Sequence, residues 1–392
     1  MRGDWRKYSD EQWMRLAGAT RASRPSEFPR LALARVLLLL TPLALSTVFL
    51  RQPLRADNQI SPEKAMKSIV VGAAISAAAI SSSTLAQSAA VIGWGRNDYG
   101  QAVSPAELKN PIQVSAGLYH SVAVGADGRA IAWGLNAAGQ ATAPADLGLV
   151  RQVAAGYQHS VALTQAGRVR CWGSDAEGQC AVPQDLLIAR SIGIGDDFTL
   201  AVTSDGKVRA WGRAVEGQTA VPTELASVVD VVGGHAHALA RRADGIVVAW
   251  GGNGFGESAV PSKLAGVTQV VAGAWHSIAL KANRTVVCWG RNEYGQRDVP
   301  TDLGPVVAIS GDLGNTSLAL LEDGTVRVWG RWNETYGATP PSTPQKWRAI
   351  SSGGYHAIGI PDVPSCSGDV TADGSIDGND LAILLSNWGA CP

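Results

Sequence analysis

A Trp-Gly pair recurs at Trp94, Trp133, Trp172, Trp211, Trp250, Trp289 and Trp329, at intervals of 39 residues with a last interval of 40. A fixed period of this length makes the chain a series of small copies and not one long core. A Pro stands eleven residues after every one of these Trp, from Pro105 to Pro340. A Gly stands sixteen before at Gly117, Gly156, Gly195, Gly234 and Gly273. Each copy reads as short strands with turns between them. In the third copy, His159 to Leu163 and Val169 to Trp172 are strands, and Ala166-Gly167 turns the chain. Asp127-Gly128, Asp205-Gly206, Asp244-Gly245 and Asp323-Gly324 are hairpin signals at the same place. The sixth copy has Asn283-Arg284 instead.

The strands are nearly continuous apolar runs, as expected when both faces of a sheet are covered. Seven small sheets cannot each cover two faces alone, and radial packing solves this while leaving only short edges. The expected fold is therefore an all-β, seven-bladed β-propeller over 87–361. Its ends are complementary. Gly353-Gly-Tyr-His356 begins a copy with no Trp strand after it, and Val91-Ile-Gly-Trp94 is a Trp strand with nothing before it. Pairing the N- and C-terminal strands makes one blade and closes the ring.

The recurring string Gly-x-x-His-Ser-x-Ala-Leu, Asp-Gly, Trp-Gly, Gly-Gln and Val-Pro is clearest over Gly273 to Pro300 and Gly156 to Pro183. It resembles the regulator of chromosome condensation repeat family across about 89–361. The compact period is most similar to bacterial members, such as the secreted propeller that inhibits β-lactamases. The resemblance implies a propeller that binds partners through a face. The nuclear nucleotide-exchange factors of the family have longer repeats and a protruding wedge. No insertion here is long enough for such a wedge, so exchange activity is the least favoured reading.

Composition excludes other classes. Hydrophobic residues make up 46% of the 392, which rules out global disorder. Residues 1–65 carry a net +5 and the rest −5, so the folded part is mildly acidic. It lacks the basic footprint of a nucleic-acid binder. Nucleophile elbow, phosphate loop and His-Glu-x-x-His run are all missing, and no catalytic activity is expected. The rival class is an extracellular lyase or hydrolase using the propeller channel, which acids with His or Tyr at the channel mouth would favour.

His120, His159, His237, His276 and His356 occupy one repeat position, where other copies have Phe198 and Thr316. Equivalent positions are spread round a ring, so these His read as structural groups bonding a neighbouring backbone or Ser. Function should lie where copies differ. One variable pair follows the Gly and includes Tyr119, Tyr157, Trp275 and Tyr355; another variable position follows Trp-Gly and holds Tyr99, Phe255 and Tyr294. Aromatics with interspersed acids suit recognition of a protein or glycan.

The two ends read differently. From Met66 the chain has a charged start, an apolar run and a small-residue cleavage site after Ala86, so 66–86 is expected to be a signal peptide. Residues 1–65 are then an overextended gene start, the alternative being a membrane anchor at 31–50. Either route exports the propeller, to the cell surface, the periplasm or the medium. In the tail, Asp369, Thr371, Asp373, Ser375, Asp377 and Asp380 fall at positions 1, 3, 5, 7, 9 and 12 of a calcium loop, with Gly374 at position 6. One bound Ca2+ is expected. Leu381, Leu384, Leu385 and Trp388 follow on one helical face. The segment 362–392 resembles half of a dockerin module, which implies calcium binding and docking to a surface or envelope receptor. Cys366 and Cys391 bracket it and are expected to pair. Cys171 and Cys288 stand where other copies have Ala132 and Ala210, so both are expected as buried free thiols. Cys180 is left over, with a bond to Cys171 as the open alternative.

Overall fold

The computed structural model describes residues 91–311, 313–331, 340–341 and 346–362. Among them every regular element is a strand, and the strands form seven three-stranded antiparallel sheets. Six sheets are continuous in sequence, over 111–134, 150–173, 189–212, 228–251, 267–290 and 306–330. We number these blades one to six. The seventh sheet pairs Trp347–Ser352 with His356–Pro361, and His356–Pro361 with Ile92–Gly95. Ile92 lies opposite Gly359 and Gly95 opposite His356, so both ends of the described region share one sheet. First strands of successive blades are neighbours, and the first strand of blade seven neighbours that of blade one.

The middle strands explain the packing. Side chains alternate sides along a strand. In His120–Gly125, Val122 and Val124 pack with Val150, Val153, Ala162 and Trp172 of blade two. Ala123 packs the other way, with Ile358 and Ile360 of blade seven. The same division recurs in Phe198–Thr203, where Leu200 and Val202 join the blade-four cluster and Ala201 joins Val161 and Leu163 of blade two. Each blade thus presents large side chains forward and small ones backward, and the cores lie between blades. The near-continuous apolar runs are an alternation of size.

The polar members of these strands obey the same rule. His120, His159, His237, His276 and His356 face forward and reach a hydroxyl on the next blade. His120 Nε2 is 2.9 Å from Ser160 Oγ, and His237 Nε2 is 3.0 Å from Ser277 Oγ. His356 Nε2 of blade seven is 2.8 Å from Ser121 Oγ of blade one. Where the forward residue is Phe198 or Thr316, the facing positions are Ala238 and Ala357 in place of Ser or Thr. The hydroxyl accompanies the imidazole, blade by blade. Each receiving hydroxyl donates in turn to a backbone carbonyl. Ser121 Oγ donates to Gln101 O and Ser160 Oγ to Gln140 O, both at 2.9 Å. The same carbonyls accept the indole N–H of Trp133 at 2.8 Å and of Trp172 at 2.9 Å. Trp211 departs from this pattern, since its indole N–H is buried with no hydrogen bond.

With its proton committed to the carbonyl, the hydroxyl can only accept from the imidazole. The ring therefore carries a proton on Nε2. Burial enforces neutrality, pushing His120 down to about 4 and the other four to about 3. The recurrent Gly follows from the same ring. A Cβ on Gly117 would lie 2.7 Å from His120 Cε1 and 2.5 Å from the carbonyl oxygen of Gly156. At the hairpin turns, Gly128 and Gly206 take φ of +76° and +80°, and Arg284 accepts +66° in blade five.

One expectation is corrected. Cys171 is not a free thiol but is bonded to Cys180, with Cα atoms 5.1 Å apart. The loop after Trp172 turns back, its Cys180 N–H donating to Asp175 Oδ1 at 2.8 Å, and so returns residue 180 to the strand it left. Cys288 is free.

The pairing rule has a direct test. Ser160→Ala leaves the His120 Nε2–H buried without an acceptor, and chemical denaturation should show a loss of about 1–3 kcal/mol. Adding His120→Phe reproduces the Phe198–Ala238 combination and should restore part of that loss. Equal stability of Ser160→Ala and wild type would refute the rule.

Candidate recognition face

Backbone bonds bring the two variable loops of each blade together. The N–H of the residue after Trp-Gly donates to the carbonyl of the second variable residue in the same blade. Arg96 donates to Tyr355, Leu135 to Tyr119, Arg213 to Asp197 and Arg291 to Trp275, all at 2.9 Å. All these loops therefore lie at one end of the blades. The repeated Gln then fixes the position that varies most. Gln101 Oε1 accepts the Tyr99 N–H at 2.9 Å, Gln179 Oε1 that of Glu177 at 2.8 Å, and Gln296 Oε1 that of Tyr294 at 3.0 Å. Glu257 serves Phe255 in the same way at 2.7 Å. The carbonyls of these residues hold a buried Ser or Thr hydroxyl and, except at Gln179, a Trp indole, so each supported side chain stands on a backbone tied to the buried network.

The aromatic residues gather in two groups. Tyr119 stacks on Tyr355 with ring centres 5.1 Å apart and meets the edge of Tyr99 at 5.5 Å. The Arg96 guanidinium lies 5.5 Å from the Tyr119 ring and 5.6 Å from that of Tyr355. In the second group, Trp275 meets His235 at 4.3 Å and Phe255 at 5.7 Å. Arg291 lies 4.9 Å from the Phe255 ring and 5.4 Å from Tyr294, and Arg331 lies 4.6 Å from Tyr294. Such contacts hold large rings in place at low entropic cost on binding.

An acidic arc lies on blades two to four. Tyr157 N–H donates to Asp196 O and Asp196 N–H to Gly234 O, each at 3.2 Å. The Asp196 carboxylate, buried, bonds His235 Nδ1 through Oδ2. Burial opposes charge on His235, but Asp196 outweighs it and holds the imidazole above its ordinary value. Asp197 accepts from Gln179 Nε2 at 3.3 Å. Burial, then the adjacent Asp196, pushes its carboxyl up to about 6. The Tyr157 phenol is pushed up to about 12 by burial and then by Asp196.

The seven candidate aromatics thus share one end of the blades but not one exposure. Tyr99 and Tyr294 are open to solvent, Tyr157, Phe255, Trp275 and Tyr355 are half-buried, and Tyr119 is buried beneath its neighbours. Tyr119 therefore supports the surface and does not itself present it. Tyr157 belongs to neither ring group. Sequence reasoning missed Arg96, Arg291 and Arg331, although each stands at the variable position directly after Trp-Gly. It also missed the Asp196–His235 pair, whose members are 39 residues apart. The calcium-loop residues Asp369, Thr371, Asp373, Ser375, Asp377 and Asp380, with Cys366 and Cys391, lie outside the described residues, as do 1–65 and 66–86. Among the described residues no group of three or more His, Cys, Asp or Glu is placed to hold a metal ion.

Asp196→Asn should leave burial as the dominant influence on His235. Its imidazole should then titrate lower than in wild type, as followed by ring-proton NMR. An unchanged midpoint would show that Asp196 does not control it.

Comparison with known proteins supports the architecture. The model of the regulator of chromosome condensation (RCC1) repeat matches residues 112–140, 150–179, 189–218, 228–257 and 267–296. Each match ends on the Gln or Glu that anchors the variable loop just before it. Prp20p of Saccharomyces cerevisiae is similar in structure, with a TM-score of 0.60 and 15% identity over 77% of this chain and 95% of that one. Human WBSCR16 has a TM-score of 0.56 and 18% identity over 69% of this chain and 99% of that one. The ectodomain of the Arabidopsis thaliana receptor kinase ACR4 has a TM-score of 0.53 and 22% identity, over 65% and 90%. No curated protein matches the sequence significantly. Five RCC1 repeats thus lie on blades one to five of the seven three-stranded blades, and the fold of the described residues is that of an RCC1-type propeller.

Proposed function

We propose that this chain is an exported, non-catalytic recognition scaffold that binds a partner protein through the face described above. The observation that carries this reading is the pair of cation-braced aromatic groups flanking an acidic arc, all on loops tied to the buried network. Rings of this kind supply much of the energy at protein interfaces. Related propellers give the reading its precedent. Prp20p, the yeast RCC1, is described with its binding to Gsp1p and histones and in a structure with Kap60 bound. A glycan would use the same rings.

Export is supported by the signal-like 66–86 and by the Cys171–Cys180 bond, since structural disulfides belong to oxidising compartments. In this reading the strand Ile92–Gly95 closes the ring by completing blade seven. The tail 362–392 binds one Ca2+ and tethers or sorts the propeller.

Affinity capture tests the proposal. Immobilised full-length chain is exposed to envelope and extracellular extract, beside a variant with Tyr99, Phe255, Trp275 and Tyr294 replaced by Ala. The proposal expects a protein held by wild type and lost from the variant, in calcium and in chelator alike. A partner held equally by both would remove the face from recognition. One lost only in chelator would move recognition to the tail.

A further inference from the structure

The acidic arc has a charge imbalance that points to its ligand. Asp196, on blade three, is 5% exposed; its Oδ2 is bonded to His235, while Oδ1 is buried with no hydrogen-bond partner. Asp197 beside it is half-buried, and its resolved bond is to the neutral amide of Gln179. Glu177 stands exposed on the loop that same Gln anchors. The nearby cation, Arg213, is bonded to Glu216 at 2.7 Å. Glu177, Asp196 and Asp197 thus have as nearby positive charge only the His235 imidazole and an Arg213 already bonded to Glu216, so negative charge is in excess. Burying such charge without a counter-ion is costly, and a group that supplies the missing positive charge and donors gains that cost back on binding.

The ends of the arc are aromatic. Tyr157 adjoins Asp196 through the backbone bond, and Trp275 lies against His235. A planar cation with several donors fits such a site better than a compact one. It can pair with a carboxylate by two parallel bonds and rest on a ring face at once. We propose that the Asp196–Asp197 arc, with Tyr157 and Trp275 at its ends, receives the guanidinium of an arginine side chain projecting from the partner protein. Asp197 makes the direct contact, and the buried Asp196 supplies charge from behind. This rests on the recognition reading above and names what the centre of that face selects.

The test uses full-length protein and two tripeptides, acetyl-Gly-Arg-Gly-amide and its citrulline counterpart, which has the same shape without the charge. The His235 ring and Trp275 indole signals are followed by NMR. The arginine peptide should shift both saturably, and the citrulline peptide should bind at least tenfold more weakly. Asp197→Asn should weaken the arginine peptide about tenfold, and the exposed Glu177→Gln, which does not endanger the fold, about two- to threefold. The remote Asp146→Asn should change nothing. Equal response to both peptides, or full affinity in both Asp197→Asn and Glu177→Gln, would overturn the proposal. If the arginine peptide fails while partner capture still depends on Tyr99 and Tyr294, the arginine site falls and the recognition face stands.

Discussion

A neutral imidazole donating to a hydroxyl on the next blade is the interaction on which this propeller depends. A blade of three short strands has too little core of its own. It is held by its neighbours through a forward face of large side chains and a backward face of small ones. The contact from His to a Ser hydroxyl, or to that of Thr199 between blades two and three, adds a directional bond to that non-directional packing. It occurs between blades one and two, two and three, four and five, five and six, and seven and one. Where it is absent, both halves are absent, as Phe198 facing Ala238 shows. A lone buried hydroxyl or imidazole would cost more than a well-packed apolar pair.

The same network reaches the surface. Ser and Trp deliver their protons to the carbonyls of Gln101, Gln140, Glu257 and Gln296. The side chains of those residues hold the backbone of Tyr99, Ala138, Phe255 and Tyr294. The repeat keeps the support constant while the supported side chain varies. A face built so can change its chemistry from blade to blade without disturbing the core, which suits recognition.

Much of the fold was legible in the 39-residue register, because every copy must meet the next in the same way. The His position was legible as structural for the same reason. The alternation of large and small was not. A run such as His-Ser-Val-Ala-Leu reads as uniformly apolar until one knows that its two faces meet different blades. At the face, variability found the aromatics but not their exposure, since Tyr119 is packed against Tyr355, Tyr99 and Arg96, which lie outside its own blade. Asp196 and His235 each look like ordinary loop residues; their pairing arises from packing between blades. Cys171 looked like its Ala counterparts because the return of the following loop to its own strand left no periodic mark.

The measurement that bears most directly on this account is ring-nitrogen NMR of the histidines, taken with melting temperature from pH 7.5 to 4.5. Unfolded histidine takes up its proton near 6.5, whereas the buried rings resist until about 3 to 4. The unfolded chain therefore binds more protons across that window. Stability should be full above about pH 6.5 and fall with acid, by about 1.4 kcal/mol per pH unit for each ring. The account predicts that His120, His159, His237, His276 and His356 stay neutral, with the proton on Nε2, until the chain unfolds. Rings that charge near pH 6 in a folded protein of unchanged melting temperature would contradict it.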